Sequence, residues 1–205
     1  GITRIMAVFA HSSRVPERLG PLRSARTPFV LFAQSMDAIY IHAGGSRTSL
    51  KLLKTAGVAE IDTLLAVNSS AVWRYATLRQ TKRLEYSMLT SGQRLTSRIS
   101  AMKLSAESKR PSPFTFGKVT QAAGTANQVQ IRMSSTQTIG FKYNTSTMLY
   151  TKINGPLSSG AVHKTMEDAS LTATNIVVMY DTKFNENDVT IGFRLQSGSG
   201  LFASE

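Results

Sequence analysis

Cysteine is absent from all 205 residues, which excludes disulfides, thiolate nucleophiles and thiolate metal sites. That absence selects no compartment, because a cytosolic protein and a secreted protein without disulfides both satisfy it. No stretch reaches the roughly 18 consecutive apolar residues of a membrane-spanning helix, and the opening Gly1-Ile2-Thr3-Arg4 is not a signal peptide. The chain as given is therefore expected not to anchor itself. It opens inside a strand-like run, Ile2 to Phe9, without an initiator methionine, so it reads as a fragment or an ordered part of a longer protein. Histidine is scarce as well. Only His11, His42 and His163 occur, and none pairs with another at ligand spacing on a helix. Neither a phosphate-cradling glycine loop of the Walker kind nor a dinucleotide fingerprint is present, so no metal and no cofactor is expected.

Acidic residues are few, and their distribution is uneven. Through Arg110 there are 17 Lys and Arg against 6 Asp and Glu, a net of +11, whereas from Pro111 onward 7 face 6. The basic character of a chain with net charge +12 thus belongs to its first half. A field of that size favours polyanions: nucleic acid phosphates, anionic lipid headgroups or anionic wall polymers. A solvated surface of a high-pI protein is the bland alternative. The rest of the composition, 41% hydrophobic and 18% charged, is that of a folded globular chain long enough to bury a core.

Ile2 to Ala10 has the branched and small apolar residues of a buried strand. Thr27 to Met36 predicts a helix beginning near Pro28, Asp37 to Ala43 a second buried strand, and Thr48 to Thr55 a helix that stops at Gly57. Strand, helix, strand, helix argues for an α/β layer with a partly parallel sheet. Ala71 to Arg83 and Thr90 to Ser108 are polar and basic, the latter with a surface helix. Ser105 to Pro113 reads as a boundary. Beyond it come short alternating runs, Val129 to Met133, Ile139 to Tyr143, Met148 to Ile153, Asn175 to Tyr180 and Val189 to Leu195, separated by turn residues. The expected organisation is an α/β domain over 1–110, with a mixed, partly parallel sheet and helices, followed by a mainly antiparallel β domain over 111–205: α+β overall.

Gly1-Ile2-Thr3-Arg4, Gly20-Pro21-Leu22-Arg23-Ser24-Ala25-Arg26 and Tyr40-Ile41-His42-Ala43-Gly44-Gly45-Ser46 stand in the order and spacing of the YerB-like family of bacterial cell-envelope lipoproteins, which the chain resembles. Glu60-Ile61-Asp62, Trp73-Arg74 and Arg83 to Ser91 are weaker matches, and Phe114 to Gly117, Ile139 to Tyr143, Tyr150 to Gly155 and Leu171 to Val178 resemble the family's C-terminal β region. The resemblance implies an extracytoplasmic lipoprotein of a Gram-positive-type bacterium, held to the membrane by an N-terminal lipid anchor that this chain lacks. It implies no reaction, because the family's activity is unassigned. The sequence departs from the pattern at Ala43, where members often carry Cys, and at Leu84-Glu85-Tyr86-Ser87, where a more Pro-His-Asn-like run is usual.

Gly20 to Pro28 is a rigid turn leading into a helix, and Arg23, Ser24 and Arg26 at its edge could hold an anion. Alternatively Thr27 caps the helix and the arginines bond to carbonyls or to Asp37. His42, before Gly44-Gly45-Ser46, could serve with Ser46 as a nucleophilic pair, although a hydrogen-bonded structural histidine fits the missing carboxylate better. Trp73-Arg74-Tyr75, Arg79, Lys82-Arg83 and Tyr86 interleave base and aromatic residues as stacking, phosphate-tracking surfaces do, or else Trp73 anchors the core. The expected ligand surface is Arg4, Arg23, Ser24, Arg26, His42, Gly44, Gly45, Ser46, Trp73 and Arg74. Its expected partner is an anionic wall polymer, peptidoglycan or a wall-associated protein. An envelope hydrolase acting on glycan or phosphodiester bonds, with His42 and Asp62 as base and acid, is the alternative of another class. Nucleic acid binding follows from charge alone, and the resemblance opposes it.

Overall fold

The structure, a computed structural model, describes residues 4–81, 84–109, 126–176 and 178, together with the backbone of two strands at 182–185 and 191–194. Two compact units are present. The first carries helices α1 (Thr27–Ser35), α2 (Arg47–Ala56), α3 (Ala76–Thr81) and α4 (Gly92–Ala101) and strands β1 (Tyr40–His42), β2 (Glu60–Asp62), β3 (Trp73–Arg74) and β4 (Met88–Leu89). The second holds β5 (Gln128–Arg132), β6 (Thr138–Asn144), β7 (Leu149–Asn154), β8 (Ala161–Val162) and β9 (Thr172–Ala173). The last two strands, β10 (Thr182–Asn185) and β11 (Ile191–Arg194), form an antiparallel hairpin that belongs with the first unit.

At the centre of the first unit β1 and β2 run parallel, Tyr40 beside Glu60 and His42 beside Asp62. The chain ahead of α1 flanks β1 on its other side. The Ala25 N–H donates to the Gly44 carbonyl at 2.8 Å and the Ala43 N–H to the Arg23 carbonyl at 3.0 Å. Parallel strands are normally covered on both faces, and that holds here. Val30 and Ala33 of α1 and Leu53 of α2 pack with Ala25 and Tyr40, while Ile61, Ile39 and Ile41 pack with Ala71 and Leu95 of α4. Each of the fully covered aliphatic side chains contributes about 1.5 to 3 kcal/mol by leaving water. Ahead of this layer, Leu19 pairs with Thr90 and the Leu22 N–H donates to the Met88 carbonyl at 2.8 Å. Residues 19–25 therefore link the β3–β4 hairpin to the parallel pair.

The leucine spacing of α2 and its caps explain its limits. Ser46 accepts from the Ser49 N–H at the start, and Gly57 ends the helix in the left-handed region at φ 65°. Nothing lies within 4 Å of a Cβ built on Gly57, so an alanine there meets backbone strain alone. Gly57→Ala is expected to lower stability by about 1 kcal/mol in urea denaturation, with no change in the slope.

The α/β part followed by an antiparallel sheet is the architecture expected from the sequence. Some elements differ. Ile2 to Ala10 is not a strand over its described residues 4–10; Ile5 and Val8 are 61% and 53% exposed and no described strand pairs with the run. The strand expected from Asp37 shortens to Tyr40–His42 because Asp37, at φ 49°, turns the chain out of α1. No strand occurs at the described residues of Asn175 to Tyr180, and β9 pairs with β7 instead. The expected boundary at Pro111, like Lys82 and Arg83, lies outside the described residues. In the second unit β5, β6 and β7 form a meander, with β8 and β9 both pairing along β7. Gly140 is required there by close packing: a Cβ would sit 2.5 Å from Leu157 Cδ2 and 3.3 Å from Ile153.

Candidate functional site

The segment 23–26 delivers two arginines to the start of α1, and Arg4 joins them from the irregular N-terminal arm. All three are half-buried. Among the described residues none has a carboxylate within ion-pair distance, and the arginines feel one another instead. Burial, then the charges of Arg26 and Arg23, pull the Arg4 guanidinium below its usual value. Arg26 is the N-cap of α1 without capping it through its side chain; one of its terminal nitrogens donates to the Ala25 carbonyl at 2.7 Å. Arg23 lies 4.6 Å above the Tyr86 ring and donates to the Glu85 carbonyl at 3.2 Å. Thr27 does not cap α1. It is the first helical residue, followed by Pro28, and among the described residues its hydroxyl lacks a partner.

Tyr40 is buried and lies close enough to Arg26 and Arg4 to feel their charges. Burial pushes its phenol up to about 12, against a backbone hydrogen bond at Arg26 and the charges of Arg26 and Arg4, which pull the other way. The folded value exceeds the unfolded one of about 10, so the unfolded chain ionises first as pH rises. Stability is expected to hold below pH about 10 and to fall by about 2 kcal/mol towards pH 12, and Tyr40→Phe to remove that alkaline limb. Urea midpoints across the range, with tyrosinate absorbance, check this.

His42 is fully buried and stacks on Tyr40, ring centroids 5.2 Å apart. Its Nδ1 donates to the Gly44 carbonyl at 2.8 Å, and its Nε2 meets Glu60 Oε2 at 2.6 Å. Both ring nitrogens are thus engaged. The carboxylate beside His42 is Glu60, which sequence reasoning passed over; the candidate Asp62 instead accepts the backbone N–H groups of Gly44 at 2.8 Å and Leu64 at 3.0 Å. Ser46 is occupied as the cap of α2, and its Oγ also donates to Ser49 Oγ at 2.9 Å. Gly44 takes the left-handed region at φ 63°, and a Cβ on Gly45 would lie 2.8 Å from Ser49 Oγ. These glycines allow a turn and close packing at the end of β1.

The remaining pair divides. Successive strand residues point to opposite faces, so Arg74 donates to the Leu84 carbonyl at 2.7 Å whereas Trp73 takes the Arg94 guanidinium 5.2 Å over its ring. Arg74 and Arg23 together hold the turn of Leu84–Tyr86. Arg23, Arg26 and half-buried Ser24 lie at the start of α1 and Arg4 is near enough to feel the two arginine charges, while His42 stacks on Tyr40. Among the described residues no group of three His, Asp or Glu is placed to hold a metal ion.

Residues 1–105 match the family described as "Protein of unknown function (DUF3048) N-terminal domain". The chain belongs to this family. A relative carrying the name "Putative lipoprotein YerB", from Bacillus subtilis (strain 168), is 40% identical over 73 residues, 36% of this chain and 21% of YerB. The crystal structure of YerB from Bacillus subtilis matches with a TM-score of 0.69 at 20% identity, covering 89% of this chain and 60% of that one. At that identity the likeness establishes the fold. The chain spans about a fifth of YerB's length in the sequence match and about three fifths in the structural one. The DUF3048 match includes every residue of the arginine cluster and of the His42 layer.

Proposed function

We propose that this chain is part of an extracytoplasmic lipoprotein whose basic N-terminal unit binds an anionic wall polymer. The name of YerB supports the compartment and the lipid anchor. The observation that carries the binding reading is the set of three half-buried arginines at the start of α1, with no carboxylate at ion-pair distance among the described residues. Buried cations are ordinarily paired, because desolvation of an unpaired one is costly. A site that keeps three together lowers that cost when a polyanion arrives. The hydrolase alternative has less support, since His42 is fully covered with both nitrogens bonded and Asp62 is committed to backbone N–H groups.

Retention of the purified chain on peptidoglycan, prepared with and without its attached anionic polymer, tests the reading. Retention only on polymer-bearing material, lost at high salt, is expected. Equal retention on both preparations would point to the glycan or to a wall-associated protein as partner.

A further inference from the structure

In the second unit, three backbone hydrogen bonds close a ring where β8 and β9 meet along β7. The Lys152 N–H donates to the Leu171 carbonyl at 2.9 Å, the Leu171 N–H to the His163 carbonyl at 2.8 Å, and the His163 N–H to the Lys152 carbonyl at 2.9 Å. The segment that joins β8 to β9 is tied to β7 at this point. Side chains make a second tie across the same ring: Lys152 Nζ lies 2.8 Å from His163 Nδ1 and 2.6 Å from Asn154 Oδ1. A lysine ammonium can only donate. Nδ1 must therefore accept, which fixes the ring as neutral with its proton on Nε2. Such a pair lasts only while the histidine stays uncharged.

No carboxylate among the described residues stands within ion-pair distance of Lys152 or His163 to offset a second positive charge. On β6 the residue opposite Lys152 is Phe141, and Lys142, opposite Thr151, faces the other way because neighbouring strand residues alternate. Tyr150 and its cross-strand partner Tyr143 share the Lys152 face, and the Tyr150 hydroxyl donates to the Ala126 carbonyl at 2.9 Å. Neither β8 nor β9 contributes a charged residue. In the connecting segment, Lys164 donates to the Asp168 carbonyl at 3.0 Å and lies 3.8 Å from its carboxylate, while the Glu167 N–H donates to Thr165 Oγ1 at 3.2 Å.

We infer that the bond between Lys152 and His163 is an acid-sensitive latch on the β8–β9 segment, closed while His163 is neutral and released when it takes a proton. The proton enters at Nδ1, the ring nitrogen that carries a lone pair. It abolishes the acceptor and sets two cations side by side. Burial, then the charge of Lys152, already hold the His163 ring below its usual value. The opened segment binds a proton with the ordinary histidine affinity, so the latch is fully closed above about pH 6.5 and weakens as pH falls below it. Both side chains are half-exposed, and water screens their repulsion. The response is accordingly about two- to fivefold in the opening equilibrium. The inference concerns the second unit and is independent of the polymer reading.

Amide hydrogen exchange of the full chain, read by NMR and corrected for intrinsic rates, tests the latch at about pH 7.5 and about pH 5, on either side of the ordinary histidine value. The His163 and Leu171 amides are expected to open about two- to fivefold more often in acid, with no such change at the β5–β6 ladder. His163→Gln keeps an acceptor that takes no proton, and Lys152→Met leaves the histidine without a neighbouring cation; each should remove the acid response. At neutral pH the Nδ1 resonance of His163 should be that of an unprotonated ring nitrogen. Equal opening at both pH values in the wild type, a protonated Nδ1 at neutral pH, or an undiminished acid response in His163→Gln overturns the latch. Should His163→Gln fail to fold, an undiminished response in Lys152→Met overturns it equally.

Discussion

Arg4→Ala combined with Arg26→Ala is expected to weaken binding to an anionic wall polymer about a hundredfold while leaving the melting temperature unchanged or higher. Two charge-assisted hydrogen bonds to an anion account for the loss. The stability half of the expectation distinguishes a binding cluster from a structural one. Among the described residues neither Nε has a partner, and Arg4 is held against the repulsion of Arg26 and Arg23. Removing both therefore deletes one carbonyl hydrogen bond, from Arg26 to Ala25, and relieves like-charge contact and desolvation. Arg23→Ala should behave differently and lower both quantities, because Arg23 also stacks on Tyr86 and holds the Glu85 carbonyl. Thermal melts beside polymer titrations of the two variants read out the contrast. A double variant that melts well below wild type would mean that the arginines hold the fold together.

His42→Ala is expected to cost about 3 kcal/mol of stability in urea denaturation. The ring is fully buried, stacked on Tyr40 and bonded through both nitrogens. Alanine leaves a cavity and strips a donor from the Gly44 carbonyl and a partner from the Glu60 carboxylate. Glu60 is 37% exposed through its side chain and can turn to water, so most of the loss comes from the cavity and the carbonyl. Stability close to wild type, with polymer binding abolished, would instead make His42 a ligand contact.

Much of the fold was legible where local chemistry decides it. The expected helix at Thr48 to Thr55 is Arg47–Ala56 because Leu50, Leu52 and Leu53 mark its inner side and Gly57 supplies the left-handed stop. The runs around Val129, Ile139 and Met148 became β5, β6 and β7 because alternation and turn residues sit in the same short segments. Elements that depend on distant partners were not legible. Ile2 to Ala10 has the composition of a strand, but over its described residues 4–10 it pairs with no described strand. The β10–β11 hairpin lies beside α1, a placement that nothing in its own residues announces.

The candidate site divides along the same line. Arg23 and Arg26 could be read as a pair because they flank one helix start, and Arg4 joined them from the basic N-terminal arm. Tyr40 and Glu60 were missed as partners, since the parallel register that brings His42 beside Asp62 leaves Glu60 within reach of its ring, and register is a tertiary property. Trp73 and Arg74 read as one unit in the sequence, yet they have different partners, Arg94 over the Trp73 ring and the Leu84 carbonyl for Arg74, because adjacent strand residues face opposite ways.

The dependence of polymer affinity on salt is the most direct test of electrostatic binding by the arginine cluster. A linear fall of log affinity with log salt, with a slope of about −2 to −3, is expected if the three arginines displace counterions from the polymer. Affinity that stays constant from low to high salt would contradict it.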